Sequence, residues 1–160
     1  MTRSVLIICT GNYYRSRYAE IYFNHLVSKT DLNWFAFSRG LEASAGRNVG
    51  PISSFALERL TRQGIPLDKP IRFPMQLEEK DLQEASLIIA VHRVEHQPMM
   101  KKYFPAWAEK IIYWDVADLD ITDSENALAA IEQKIREIVE NIRFNLICES
   151  VKNSVENYIS

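Results

Sequence analysis

The chain has 160 residues, 47% hydrophobic and 25% charged, with five Gly and six Pro, a balance that suits one compact soluble domain and leaves too little chain for two well-buried cores. Nineteen Lys and Arg against 21 Asp and Glu give a formal charge of −2, so the totals imply no basic surface running along nucleic acid. Two cysteines, Cys9 and Cys148, are too few and too far apart for a disulfide framework or a cysteine-built zinc site.

The first apolar run, Val5 to Cys9, is short and β-branched-rich, which predicts a strand covered on both faces. It is too short for a signal peptide or a membrane span, and no other segment approaches the roughly 20 apolar residues of a transmembrane helix. No membrane partner is expected, and a cytoplasmic location is the default. From Ser16 onward Ala19, Tyr22, Phe23, Leu26 and Val27 recur at helical spacing, so a strand turns directly into a helix. Trp34 to Ser38 reads as a second strand, followed by the loop GLEASAGRNVG. Pro51 then opens a helix with the stripe Ile52, Phe55, Ala56 and Leu60, stopped by Gly64.

Ser86 to Val91 predicts a third strand, followed by a helix reaching about Tyr103 with Pro98 inside it. Lys110 to Trp114 predicts a fourth strand. After the acidic loop DVADLDITDSEN comes the longest helix, striped by Leu128, Ile131, Ile135, Ile138, Ile142 and Leu146, and then a polar tail, about 149–160, expected to fray. Strands alternating with helices indicate an α/β architecture with a mostly parallel sheet, in which ligands bind at the carboxyl ends of the strands. That rule points to Cys9.

Cys9-Thr10-Gly11-Asn12-Tyr13-Tyr14-Arg15-Ser16 spans the first strand-to-helix junction. Such a loop can turn its backbone N–H groups inward around an anion, with the helix N-terminus beneath it. Gly11 and Asn12 tolerate left-handed backbone angles, and the planar fork of Arg15 suits two phosphate oxygens. A thiol at the base of a positive cup is favoured as its thiolate, the attacking form, and Ser16 can donate to the sulfur. Neither GxxxxGK[ST] nor GxGxxG is present, so a nucleotide loop is disfavoured.

VLIICTGNYYRS resembles the active-site signature of the low-molecular-weight protein tyrosine phosphatases, C-x-G-N-x-C-R-S-P, and the likeness extends over nearly the whole chain through Phe37 to Leu41, Asn48 to Pro51 and Ala85 to Ile89. The resemblance implies a single doubly wound α/β domain over residues 1–160, with a four-stranded parallel sheet of order 2-1-3-4 and helices on both faces. It implies a phosphatase acting on a phosphotyrosine protein or a small aryl phosphate through a phosphocysteine on Cys9, with no cofactor and no metal. Arg15 would clamp phosphate, Thr10 to Ser16 would form the phosphate loop, and Asn12 with Ser38 would hold its shape. An aryl leaving group requires a general acid. The family's acid belongs to an Asp-Pro pair that this chain lacks; Trp-x-x-x-Asp spacing puts Asp118 there, followed by Leu119, with Asp115 as second choice. Tyr14 stands where the family has a second cysteine, and Arg17 where it has proline, adding charge beside the pocket. Tyr13 could stack on a substrate ring or narrow the entrance.

Three other readings compete. His92-Arg93-Val94-Glu95-His96 matches the H-x-x-E-H zinc-protease pattern, although only a short chain follows for a third ligand, and a surface or partly buried histidine pair is the expectation. An arsenate reductase of this fold would need further relay cysteines between Cys9 and Cys148, where there are none. A non-catalytic phosphate or phosphotyrosine binder would follow if Leu119 marks a lost acid loop. Oligomeric state is not legible.

Overall fold

A computed structural model describes residues 1–45, 48–118 and 123–159. Strand β1 (Arg3–Cys9) runs through the middle of a parallel sheet, flanked by β2 (Trp34–Gly40) and β3 (Leu87–Ala90), with β4 (Ile112–Tyr113) outside β3, in the order 2-1-3-4. The unbroken apolar character of β1 follows from this position. Val5, Ile7 and Cys9 pack on one face among side chains of α1 (Arg15–Val27), α2 (Ser54–Arg62) and α5 (Ser124–Ile159). Leu6 and Ile8 pack on the other, with Leu82 of α3 (Glu79–Glu84) and Met100 of α4 (Arg93–Tyr103). Full burial of Leu6, Ile7 and Ile8 contributes roughly 1.5–3 kcal/mol for each side chain.

The elements differ from expectation where local chemistry competes with pattern. Helix α2 starts at Ser54, because the Ser53 hydroxyl accepts from the Phe55 N–H at 3.2 Å and caps it; Pro51 lies outside. Gly64, at φ +68, follows the helix as expected. Phe55 is not a core residue but half exposed. Helix α3, which no apolar stripe announces, is held by a reciprocal capping box between Glu78 and Asp81. The fourth strand shrinks to two residues. The polar tail does not fray after Cys148: helix α5 runs 36 residues to Ile159, since that stretch contains neither Pro nor Gly to break it. No helix among the described residues is long and apolar enough to cross a membrane. The carboxyl ends of β1, β3 and β4 and the N-termini of α1 and α4 converge at one end of the sheet.

Candidate active site

Between Cys9 and the first turn of α1 the chain curls into a loop whose inside is a cleft of about 440 Å³, lined by Cys9, Thr10, Gly11, Tyr13, Tyr14, Arg15, Ser53, Phe55 and Asp118 among others. No side chain caps the N-terminus of α1 and its first turn carries no acid, so its polarity favours an anion in the cleft. The Ser16 Oγ lies 2.8 Å from the Cys9 Sγ. That oxygen also accepts from Asn12 Nδ2 at 3.0 Å, which leaves the hydroxyl proton able to go to the sulfur when the sulfur is a thiolate.

Asn12 is the hub of the loop's shape. It sits at φ +50, a left-handed angle that Asn tolerates better than most residues, and is fully buried. Its amide nitrogen donates to Ser16 Oγ and to Ser38 Oγ at 2.8 Å; its oxygen accepts from Arg72 Nη1 and the Met75 N–H, both at 3.0 Å. All four hydrogen-bonding positions of the amide are used. Glu20 closes the network, accepting from Ser38 Oγ at 2.8 Å and Arg72 Nη2 at 3.0 Å. Gly40, at the end of β2, lets that strand approach: a Cβ there would fall 2.7 Å from the Thr10 carbonyl oxygen and 2.9 Å from the Asn12 nitrogen. Sequence reading named Asn12 and Ser38 but missed Arg72, Glu20 and Gly40, for which the one signal was a glycine closing an apolar strand.

Arg15 is almost entirely buried. Its Nη1 and Nη2 donate to the two carboxylate oxygens of Glu95 at 2.9 and 3.0 Å, and Nη1 also donates to the Val116 carbonyl at 3.0 Å. Asp118 Oδ2 stands 3.7 Å from Nη2. Burial pushes the Glu95 carboxyl up, but hydrogen bonds from His96, Arg15 and Thr10 and the Arg15 charge outweigh it and hold the group well below the usual carboxylate range. The H-x-x-E-H segment is therefore part of this site in a way its pattern did not suggest. Glu95 ion-pairs with Arg15, and His96, wholly buried, accepts the His92 N–H on Nδ1 at 3.1 Å. His96 is thus not a surface histidine. Among the described residues no group of three or more His, Cys, Asp or Glu could hold a metal ion.

The other expected residues divide clearly. Asn12 and Ser16 lie behind the loop, and the Thr10 hydroxyl turns to Glu95 Oε1 at 2.5 Å, so what these residues can offer an anion is backbone. The Tyr13 hydroxyl donates to the Val49 carbonyl at 2.6 Å, which makes its ring a wall of the cleft. Tyr14 is buried, and its hydroxyl donates to the Ser124 carbonyl at 3.2 Å; burial first, and then the Asp118 charge, push its pKa up to about 12. Asp115 is exposed and pairs its backbone with His92 in an isolated bridge; it does not line the cleft. Arg17 does not line the cleft: it is buried, donates to the Arg72 carbonyl at 2.9 Å and faces another cavity, although its charge still interacts with Cys9. Leu119 lies outside the described residues. A larger cavity of about 630 Å³, at the opposite end of the sheet beside Met1, Arg3 and Trp34, holds no Cys, Ser–His pair or arginine clamp.

Comparison with known proteins places this geometry in context. Residues 4–157 match the family model described as low molecular weight phosphotyrosine protein phosphatase. Among solved structures, a low molecular weight protein tyrosine phosphatase from T. tengcongensis is 27% identical, with 88% of this chain and 99% of that chain covered at a TM-score of 0.72. YfkJ from Bacillus subtilis is 26% identical, with 91% and 97% covered at a TM-score of 0.77. Vibrio vulnificus Wzb, solved with benzylphosphonate, is 19% identical, with 88% and 99% covered at a TM-score of 0.72, and shares the fold. None of the curated proteins compared with the chain matches it.

Proposed function

The chain belongs to the low-molecular-weight phosphotyrosine protein phosphatase family, a cysteine-dependent class of phosphatases, and on that premise we propose that it hydrolyses phosphotyrosine or small aryl phosphate monoesters through a phosphocysteine intermediate on Cys9. The observation that carries this reading is the 2.8 Å contact between Cys9 Sγ and Ser16 Oγ at the floor of a cleft shared with Arg15 and Asp118.

In the first step the Cys9 sulfur attacks phosphorus as the bond to the aryl oxygen breaks. Asp118, protonated, gives its proton to the leaving oxygen, and the loop N–H groups with the Arg15 fork hold the three phosphoryl oxygens. In the second step water attacks phosphorus, the Asp118 carboxylate takes its proton, and the P–S bond breaks to return the thiolate and release phosphate. Ser16 supports both steps by donating to the sulfur. Tyr13 and Phe55 supply apolar walls suited to an aromatic ring. Cytoplasmic residence and a single-domain organisation over residues 1–160 belong to the same proposal. The test is Cys9→Ser, expected to abolish hydrolysis of para-nitrophenyl phosphate while the variant remains folded. Hydrolysis at the native rate in that variant would overturn the assignment.

A further inference from the structure

We infer that Glu95 is the positioning residue that selects which edge of Arg15 is presented to phosphate, an inference that rests on the phosphatase reading of the cleft. A guanidinium has five N–H protons in a fixed fork. Nη1 places one on Glu95 Oε2 and the other on the Val116 carbonyl, and Nη2 places one on Glu95 Oε1. Three protons are thereby used on the end of the fork and the side facing Val116. The two that remain, on Nε and Nη2, lie along a single edge, the parallel pair that matches two oxygens of a phosphate. Asp118 Oδ2, 3.7 Å from Nη2, and the cleft shared by Arg15 and Cys9 put that edge where the reaction occurs. Glu95 is absent from the lining of the cleft, so it grips the arginine from behind.

The carboxylate is itself fixed. Its Oε1 accepts from the Thr10 hydroxyl at 2.5 Å, and His96 Nε2 lies 3.3 Å from Oε1 and 3.1 Å from the Thr10 Oγ1. Since His96 Nδ1 accepts the His92 N–H, the ring carries its proton on Nε2 and directs it at this pair. His92 Nδ1 stands 3.5 Å from Glu95 Oε2. One carboxylate at the start of α4 therefore joins the residue after the nucleophile to the phosphate clamp, holding both ends of the loop in register. Without it, Arg15 would keep a single carbonyl partner on the protein side and could turn about its stem.

The test combines binding of inorganic phosphate by calorimetry with hydrolysis of para-nitrophenyl phosphate, in wild type, Glu95→Gln, Arg15→Lys and the double variant. Glu95→Gln preserves shape while turning an amide toward Nη1 or Nη2, and Glu95→Ala provides a second variant should the first fail to fold. Loss of a charge-assisted hydrogen bond predicts that Glu95→Gln weakens phosphate binding and lowers kcat/KM by roughly 10- to 100-fold. In the Arg15→Lys background the same change should have little further effect, because Glu95 acts through the arginine fork. Native phosphate affinity in both Glu95 variants, or losses that multiply in the double variant, would overturn the inference. Failure of wild type itself to bind phosphate would instead overturn the reading of the cleft, and the inference with it.

Discussion

Asp115 and Asp118 stand one short step apart on the same loop, and the chemistry distinguishes them. Asp115 is held by its backbone bridge to His92 with its side chain in solvent, whereas Asp118 borders the cleft near Arg15. Asp118→Ala is therefore expected to lower kcat on phenyl phosphate by roughly 10²- to 10⁴-fold, the usual contribution of a general acid, and Asp115→Ala to leave it nearly unchanged. The Asp118 effect should shrink on para-nitrophenyl phosphate, whose leaving group needs less protonation. Equal losses from the two substitutions would reject this assignment. The residues legible in advance were those within one loop: Cys9, Asn12, Arg15 and Ser16 follow each other at the strand-to-helix junction, so their spacing carries their geometry. Glu95, Arg72 and Gly40 were not legible as site residues, because their meeting with the loop depends on how distant elements dock. Glu95 was in view, but a motif that spells a metal site drew attention to the wrong chemistry.

At the scale of elements, three helices are joined beside the site by one buried carboxylate. Glu132 of α5 accepts from Tyr18 of α1 at 2.5 Å and from Nε and Nη2 of Arg59 of α2, each at 2.9 Å. Burial raises the Glu132 pKa, but the hydrogen bonds from Arg59, Tyr18 and Gln63 prevail and lower it from 4.5 to about 2. A carboxylate whose folded-state pKa is depressed stabilises the fold fully above its unfolded value and loses that contribution as pH falls toward the folded one. Wild type should thus lose thermal stability between pH 4.5 and about 2 more steeply than Glu132→Gln does, in melts followed by circular dichroism. Parallel curves for the two proteins would show that the network contributes no such linkage. The α/β order and the sheet were legible because β1 is an unbroken apolar run and α1 carries apolar residues at helical spacing. The short α3 and the continuation of α5 past Cys148 were not, since a capping box and an absence of helix breakers are weaker signals than an apolar stripe.

For the molecule as a whole, the two cysteines mark opposite ends. Cys9 closes β1 at the cleft, while Cys148 lies on α5 between Leu146 and Glu149, which border the cavity beside Met1 and Arg3 at the other end of the sheet. With Tyr14 buried in the loop, no second thiol lies within reach of Cys9, and oxidation should proceed from sulfenic to sulfinic acid without capture as a disulfide. Peroxide treatment followed by non-reducing peptide mapping should find no Cys9–Cys148 link within one chain, and activity recoverable by added thiol should decline with exposure time. A Cys9–Cys148 disulfide in the monomer would contradict this placement.

The most direct measurement is to quench Asp118→Ala with acid during turnover of para-nitrophenyl phosphate and map the protein by mass spectrometry. In the proposed mechanism Asp118 serves the second step as well as the first, so the covalent intermediate should accumulate. The account predicts one added phosphoryl group, located on Cys9 and absent from the same variant carrying Cys9→Ser. Turnover with no phosphorylated Cys9 at any quench time, or with the phosphoryl group on another residue, would contradict it.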